Sequence, residues 1–274
     1  MNSTTIEMRK KKRGKAMADI QERDKLIKEW IAETAEKIEA AKSERLNVEE
    51  KSARNDLVTN MDKQIEKALT DKIRTQFPND RICGEEGFGD ELEDLDGTVW
   101  FIDPIDGTLN FVLQQENFAV MIGVYENGIG QQGYIYDVTQ KRLYHAVKGQ
   151  GVYCNEEPVE KPENKSLTEG LLATNSQLMT KDQFSEYRKL ADQSMGVRML
   201  GSAGLEVIEL AKGNVIGYIA SKLSPWDIAP GKVILEEFGF KIRQFDGTEV
   251  NLLNRNKTIF ATPRAYDEIM TNIS

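Results

Sequence analysis

The chain has little of what reactive or cross-linked centres are usually built from. Its 274 residues include one histidine, His145, and two cysteines, Cys83 and Cys154. Two cysteines cannot make a disulfide framework, and nothing near them has zinc-ligand spacing. Long hydrophobic runs are also missing. The longest, Phe118–Tyr125, falls far below the ~18 residues of a membrane span. No apolar signal segment follows the polar, basic start. These absences predict a soluble, cytoplasmic protein. A hydrophobic content of 39% argues against disorder of the whole chain.

The net charge is −9, unevenly spread. Arg9, Lys10, Lys11, Lys12, Arg13 and Lys15 stand against Glu7, so residues 1–15 carry +5 and the remainder −14. Residues 1–18 read as a flexible basic tail, either solvated or able to touch nucleic acid or lipid. No aromatics are interleaved with its charges, which favours the solvated reading. The acidic body repels nucleic acid and anionic membrane. It would repel a phosphorylated substrate too, unless a cation intervenes.

Leu26, Ile27, Trp30, Ile31, Ala35 and Ile38 recur at helical spacing, predicting an amphipathic helix from about Ala18 to Ala41. A second helix is predicted from about Leu57 to Phe77, with Ile65, Leu69, Ile73 and Phe77 on one stripe. Asp62 shares that stripe, where a carboxylate must be paired, hydrogen-bonded or bound to metal. A short strand at Arg81–Cys83 leads to Gly84-Glu85-Glu86-Gly87. The acidic segment Asp90–Asp96 reads as a solvated excursion, and Thr98–Ile102 as a buried strand. Strands at Phe118–Tyr125, Gly133–Val138, Arg142–Val147 and Gly151–Cys154, joined through turns such as Asn127-Gly128, read as an antiparallel meander. Charged Glu156–Asn164 is the expected boundary between an N-terminal half, 19–158, and a C-terminal half, 159–274. The second half alternates strands and helices, so two α/β halves should meet at a cleft.

The chemistry concentrates in Trp100-Phe101-Ile102-Asp103-Pro104-Ile105-Asp106-Gly107-Thr108. Asp103 ends a buried strand, Pro104 forbids a helix at Asp103, and Asp106 can fold back toward it. Two carboxylates so close need a shared proton or a cation. Oxygen ligands of this kind suit magnesium. Gly107-Thr108 opens a helix whose free N–H groups favour an anion. Asp106 also reads as a helix cap. Asp227, in Ser224-Pro225-Trp226-Asp227, fits the third position of a helix start equally well. His145, in its strand away from these pieces, reads as structural, and Cys83 as a small buried filler.

Together, Asp56-Leu57-Val58-Thr59 with Asp62, Gly84-Glu85-Glu86, the Asp103–Thr108 turn and Ser224–Gly231 resemble the inositol monophosphatase family of magnesium-dependent, lithium-sensitive phosphatases. The resemblance covers most of residues 19–274. It implies a five-layered αβαβα sandwich, combining α+β and α/β halves, usually as a homodimer. It also implies two or three Mg2+ per site. Glu85, Asp103 and the Ile105 carbonyl would hold the first. Asp103, Asp106 and Asp227 would hold the second, and a looser third would share Glu85. Thr108 and Asp62 would position and deprotonate the attacking water, assisted by Glu86. The substrate phosphate would lie on the Gly107 and Thr108 N–H groups, with Ser202 and Ala203 nearby. Lys51 falls where the family has an active-site lysine, or is a surface lysine.

The family's inositol-preferring members carry a glutamate seven residues before the aspartate of the Trp-Asp pair. Ala220 stands there, and Gly217–Pro225 has no acid but does have Lys222. A pocket that loses an acid and gains a cation tolerates a second phosphate better. The expected substrate is a small phosphate monoester, best an inositol monophosphate. Fructose 1,6-bisphosphate, the 2′-phosphate of NADP and a bisphosphonucleotide compete with it.

Overall fold

The computed structural model describes residues 3–41, 48–50 and 57–273, and side chains within 18–41, 48–49 and 59–273. Lys51 and Asp56 lie outside the described residues. The chain divides into two compact units, Met1–Glu44 and Arg45–Ser274.

The first unit is one helix, α1 (Ser3–Ala41). It starts well before the Ala18 expected from periodicity, so helix occupies most of the segment read as a tail. The physical reason is propagation. Residues 7–17 are rich in Glu, Met, Arg, Lys and Ala, contain no proline, and lengthen an existing helix at little cost. Ile27, Trp30, Ile31 and Ile38 form its buried stripe.

The second unit begins with a two-stranded ribbon, β1 (Val48–Glu50) and β2 (Leu57–Thr59), followed by α2 (Asn60–Gln76). The helix starts later than expected because Thr59 caps it. Next come β3 (Arg81–Gly84), β4 (Thr98–Asp106), the short α3 (Thr108–Gln114), β5 (Ala119–Glu126), β6 (Ile129–Asp137), β7 (Arg142–Val147), β8 (Val152–Cys154) and β9 (Glu157–Pro158). β3 to β9 form a seven-stranded sheet in sequence order, antiparallel except for the β3–β4 pair.

The later segments are β10 (Leu172–Thr174), α4 (Ser176–Thr180), α5 (Ser185–Gln193), β11 (Val197–Arg198), α6 (Ala203–Ala211), β12 (Gly217–Leu223), α7 (Pro225–Glu237), β13 (Lys241–Gln244), β14 (Asn256–Ala261) and α8 (Pro263–Ile273). Their five strands make a mixed sheet in the order β11-β10-β12-β14-β13.

Side chains alternate across β4, which explains the layering. Phe101 joins the hydrophobic cluster built with residues of α6 and α7, while Trp100 stacks on Phe77 just past α2. α6 bridges from the first sheet to β12, and α4, α5 and α8 lie on the outer side with β14. The order is helix, sheet, helix pair, sheet, helices: an αβαβα sandwich. One cluster runs from Val99 to Phe260, so both sheets share the central helix layer. Among the described residues, no helix is long and apolar enough to cross a membrane.

Candidate metal and active site

β4 delivers the central carboxylates. Its pairing with β5 is regular from Thr98 to Asp103 and resumes at Asp106 after a register shift. Pro104, which cannot donate to the ladder, sits in that irregularity. The bulge lets Asp103 and Asp106 turn to the same place. Gly107 ends the turn at φ +91°, a left-handed conformation that disfavours any side chain. A Cβ on Gly107 would also lie 3.2 Å from the Ser202 Cβ and 3.2 Å from the Asn117 carbonyl oxygen.

Asp103, Asp106 and Asp227 each offer a carboxylate oxygen, all within 4.8 Å of one another. Asp103 is buried at 1% exposure and Asp106 at 7%. Burial pushes the Asp103 carboxyl well above the usual range, and the charges of Glu85, Asp106 and Asp227 push it further. Burial also raises Asp227, with Asp106 and Glu85 adding to it. Asp106 is raised to about 6 by burial, moderated by hydrogen bonds from Ser202 Oγ and the Gly204 and Ala203 N–H groups. Among the described residues, no basic side chain is one of the main causes of these three shifts. An all-oxygen donor set, with Asp103 and Asp106 buried and Asp227 half-buried, fits a hard divalent ion.

Asp62 lies on α2, almost fully buried. Its Oδ2 accepts from the Thr59 N–H at 2.9 Å and from the Thr59 hydroxyl, closing a capping box. That fixes Oδ1, which accepts from the Thr108 hydroxyl at 3.1 Å. The same hydroxyl lies 3.0 Å from the Ile105 carbonyl oxygen. Burial is the main cause that raises the Asp62 carboxyl, and the Glu85 charge adds to it.

The structure therefore brings Asp62, Glu85, Asp103, Ile105, Asp106, Gly107, Thr108, Ser202, Ala203 and Asp227 into one neighbourhood. Ser202 and Ala203 arrive as donors to Asp106, at the start of α6. Glu86 is half-buried, and its N–H is held by Glu66. Lys222 is exposed on β12, with no hydrogen-bond or ion-pair partner among the described residues. Asp227 also closes a capping box with Ser224, so it caps α7 and joins the cluster at once.

Two buried acids near the cluster carry no role in the sequence reading. Glu66 is fully buried one turn along α2 from Asp62. It falls on the stripe with Ile65 and Leu69, and that was the available signal. Glu206, on α6, accepts from the Leu200 N–H at 2.6 Å, and burial raises it to about 7. His145 is buried, stacked between Tyr134 and Tyr153, and bonds the Asn155 carbonyl. Cys83 is half-buried with its thiol pushed up to about 11 by burial, so it is a poor nucleophile.

An αβαβα sandwich with clustered acids beside a hydroxyl–carboxylate pair defines a metal-dependent phosphoric monoester hydrolase. A model of the inositol monophosphatase family matches residues 19–274, and the chain belongs to that family. It is 41% identical over 256 residues to the inositol-1-monophosphatase of Bacillus subtilis strain 168, covering 92% of this chain and 97% of that one. It is 34% identical over 224 residues to a fructose-1,6-bisphosphatase/inositol-1-monophosphatase of Thermotoga maritima, covering 82% and 85%. A crystal structure of an IMPase/NADP phosphatase complexed with Mg2+ and phosphate superposes with a TM-score of 0.85 at 30% identity, covering 93% of this chain and 95% of that one. Several relatives bear a name outside phosphate chemistry, among them the Nus factor SuhB of Escherichia coli K12, 34% identical over 224 residues, covering 80% and 83%.

Proposed function

We propose that the protein hydrolyses a small-molecule phosphate monoester with Mg2+, inositol monophosphate first among its substrates, with broad specificity. The observation that carries this is the trio Asp103, Asp106 and Asp227, whose carboxylate oxygens gather within 4.8 Å of one another. Glu85, Asp103 and the Ile105 carbonyl would hold one ion in this reading, and Asp103, Asp106 and Asp227 a second. Glu85 would also serve a third, looser ion. When bound, the ions neutralise the acidic pocket, attract the phosphate and stabilise charge on the attacking and leaving oxygens.

The chain's own groups do the rest. The Thr108 hydroxyl accepts a hydrogen bond from the attacking water and passes its own proton toward Asp62 Oδ1, which already accepts from it. Asp62 is held for this by Thr59, which occupies its other oxygen. Glu86 assists. The backbone N–H groups of Gly107 and Thr108 receive the phosphate, and Ser202 and Ala203 border it while fixing Asp106. A bond forms from the water oxygen to phosphorus and the ester P–O bond breaks. The leaving oxygen takes a proton from solvent water and departs as the alcohol, the proton on Asp62 returns to solvent, and inorganic phosphate remains. In this reading residues 19–158 supply most ligands and 159–274 supply Asp227 and substrate contacts. Lys51 is the family's active-site lysine by position alone. A cytoplasmic homodimer belongs to the same reading and rests on the resemblance.

The relatives' names divide the substrate question. One is an inositol-1-monophosphatase, one adds fructose 1,6-bisphosphate, and one structure is of an IMPase/NADP phosphatase. Ala220, fully buried in β12, offers no carboxylate to sugar hydroxyls, while Lys222 adds a cation to the same strand. A second phosphate is therefore the specific alternative. The test is phosphate release with Mg2+ from inositol 1-phosphate, fructose 1,6-bisphosphate, NADP and a 3′,5′-bisphosphonucleotide, with and without lithium. Turnover of inositol 1-phosphate that needs Mg2+ and falls with lithium is expected. Release from none of the four overturns the reading.

A further inference from the structure

The site described so far leaves one arm unexplained. Glu85 is a half-buried acid on a loop, yet its charge reaches Asp62, Asp103, Asp106 and Asp227. A ligand of fixed place needs its loop held in place. β3 ends at Gly84, and the next regular element, β4, begins only at Thr98. Secondary structure therefore does not fix Glu85.

Glu66 does. Its Oε2 accepts from the Glu86 N–H at 2.7 Å, and its Oε1 accepts from the Phe88 N–H at 3.0 Å. Both carboxylate oxygens thus grip the loop on the far side of Glu85. Gly84 closes the grip on the near side: a Cβ there would lie 2.5 Å from Glu66 Oε1 and 2.5 Å from Cδ. Glycine is the residue that lets the loop lie flat on the carboxylate. Hydrogen bonds from N–H groups to an ionised acceptor are the short, strong kind. A fully buried carboxylate is retained only where it is so bonded.

We infer that Glu66 is a positioning residue that sets where Glu85 stands in the cation site, so that α2 supports the site at two points one helical turn apart. Asp62 acts at the first point through Thr108, and Glu66 acts at the second through the loop backbone. This rests on the reading that Glu85 helps hold Mg2+, and it adds the device that makes Glu85 a ligand of fixed place. Glu66 itself touches neither substrate nor ion.

Glu237 supplies a matched comparison. Its carboxylate also takes two backbone N–H groups, from Gly149 at 2.7 Å and Gly151 at 2.8 Å, on the turn between β7 and β8. Its chemistry is the same, and the turn it grips carries none of the site's acids.

The test is calorimetric titration of the whole chain with Mg2+, with thermal melts in chelator as a fold check. Glu66→Gln replaces one acceptor by an NH2 that faces a donor. It should weaken Mg2+ binding by about 10–100-fold, the range for partners that orient metal ligands. The Mg2+ needed for half-maximal activity should rise in step, with kcat at saturating Mg2+ changing far less. Gly84→Ala keeps every charge and pushes the loop off the carboxylate, so it should weaken binding in the same direction. It also carries the test if Glu66→Gln fails to fold. Glu237→Gln should bind Mg2+ as the parent does. Unchanged Mg2+ affinity in folded Glu66→Gln or Gly84→Ala overturns the inference while leaving the phosphatase reading intact. Absence of Mg2+ binding by the parent chain overturns that reading instead.

Discussion

Two stretches of this chain are dense in acids, and they behave oppositely. Asp90, Glu91, Glu93, Asp94 and Asp96 crowd one exposed loop. There Arg74 pairs with Asp90 at 3.3 Å and Arg81 with Asp94 at 2.7 Å. The Asp94 carboxyl is held below the usual range by the Asp96 N–H and the Arg81 guanidinium. In the cluster of Asp103, Asp106 and Asp227 every carboxyl is raised, first by burial, and no arginine or lysine of the described residues is among the main causes. The first loop has arginines beside it. The second, in the proposed reading, is completed by cations, so burial of the acids, rather than their density, marks the site.

The largest effect expected from breaking this contrast is on activity. Asp106→Asn removes a proposed ligand and weakens the acceptor for three donors of α6. Mg2+-dependent phosphate release should fall by more than about 100-fold, beyond the loss typical of outer partners. A loss of less than tenfold in kcat/KM contradicts the assignment.

Next comes linkage to protons. The buried carboxyls titrate higher when folded than when unfolded, so the metal-free fold favours their protonated forms. Metal-free stability should therefore fall as pH rises from the ordinary aspartate range through about 6, to which burial raises Asp106. Mg2+ competes with those protons. Its stabilisation in thermal melts should be small near the lower end of that window and grow above its upper end, with protons released on binding. Equal Mg2+ shifts on both sides contradict the linkage.

A smaller, purely mechanical effect is expected at the layer contact. Gly133 on β6 packs against the Pro230 carbonyl of α7, and a Cβ there would clash with backbone. Gly133→Ala should cost about 1–3 kcal/mol in denaturant unfolding, the usual range for overpacking. The smallest effect belongs to the exposed loop. Asp94→Asn should leave phosphate release and Mg2+ affinity unchanged, and any loss in Mg2+ affinity would blur the contrast between the regions.

Much of the site was legible because its chemistry is local. Asp103, Pro104, Asp106, Gly107 and Thr108 lie within six residues, and the bulge that turns them inward follows from a proline in a buried strand. Asp227 was legible as cap or cluster, and Asp62 as a carboxylate on a buried stripe that needed a partner or a metal. The structure makes each of them a cap and part of the site at once, because a capping carboxylate has a second oxygen to offer. What stayed hidden depends on distant partners. Ser202 meets Asp106 across 96 positions. Glu66 meets the Glu85 loop 20 and 22 positions away, and in sequence it reads as one more charged helix residue. The helical reach of α1 back to Ser3 was hidden for another reason, since a basic run without apolar periodicity carries no face to read.

The most direct measurement is a crystal of the full chain soaked in Mn2+, with anomalous maps computed over the whole molecule. Peaks within coordination distance of the Asp103, Asp106 and Asp227 carboxylates, and none on residues 90–96, are the predicted result. A cluster without anomalous density, its carboxylates turned apart or paired by protons alone, would contradict the account.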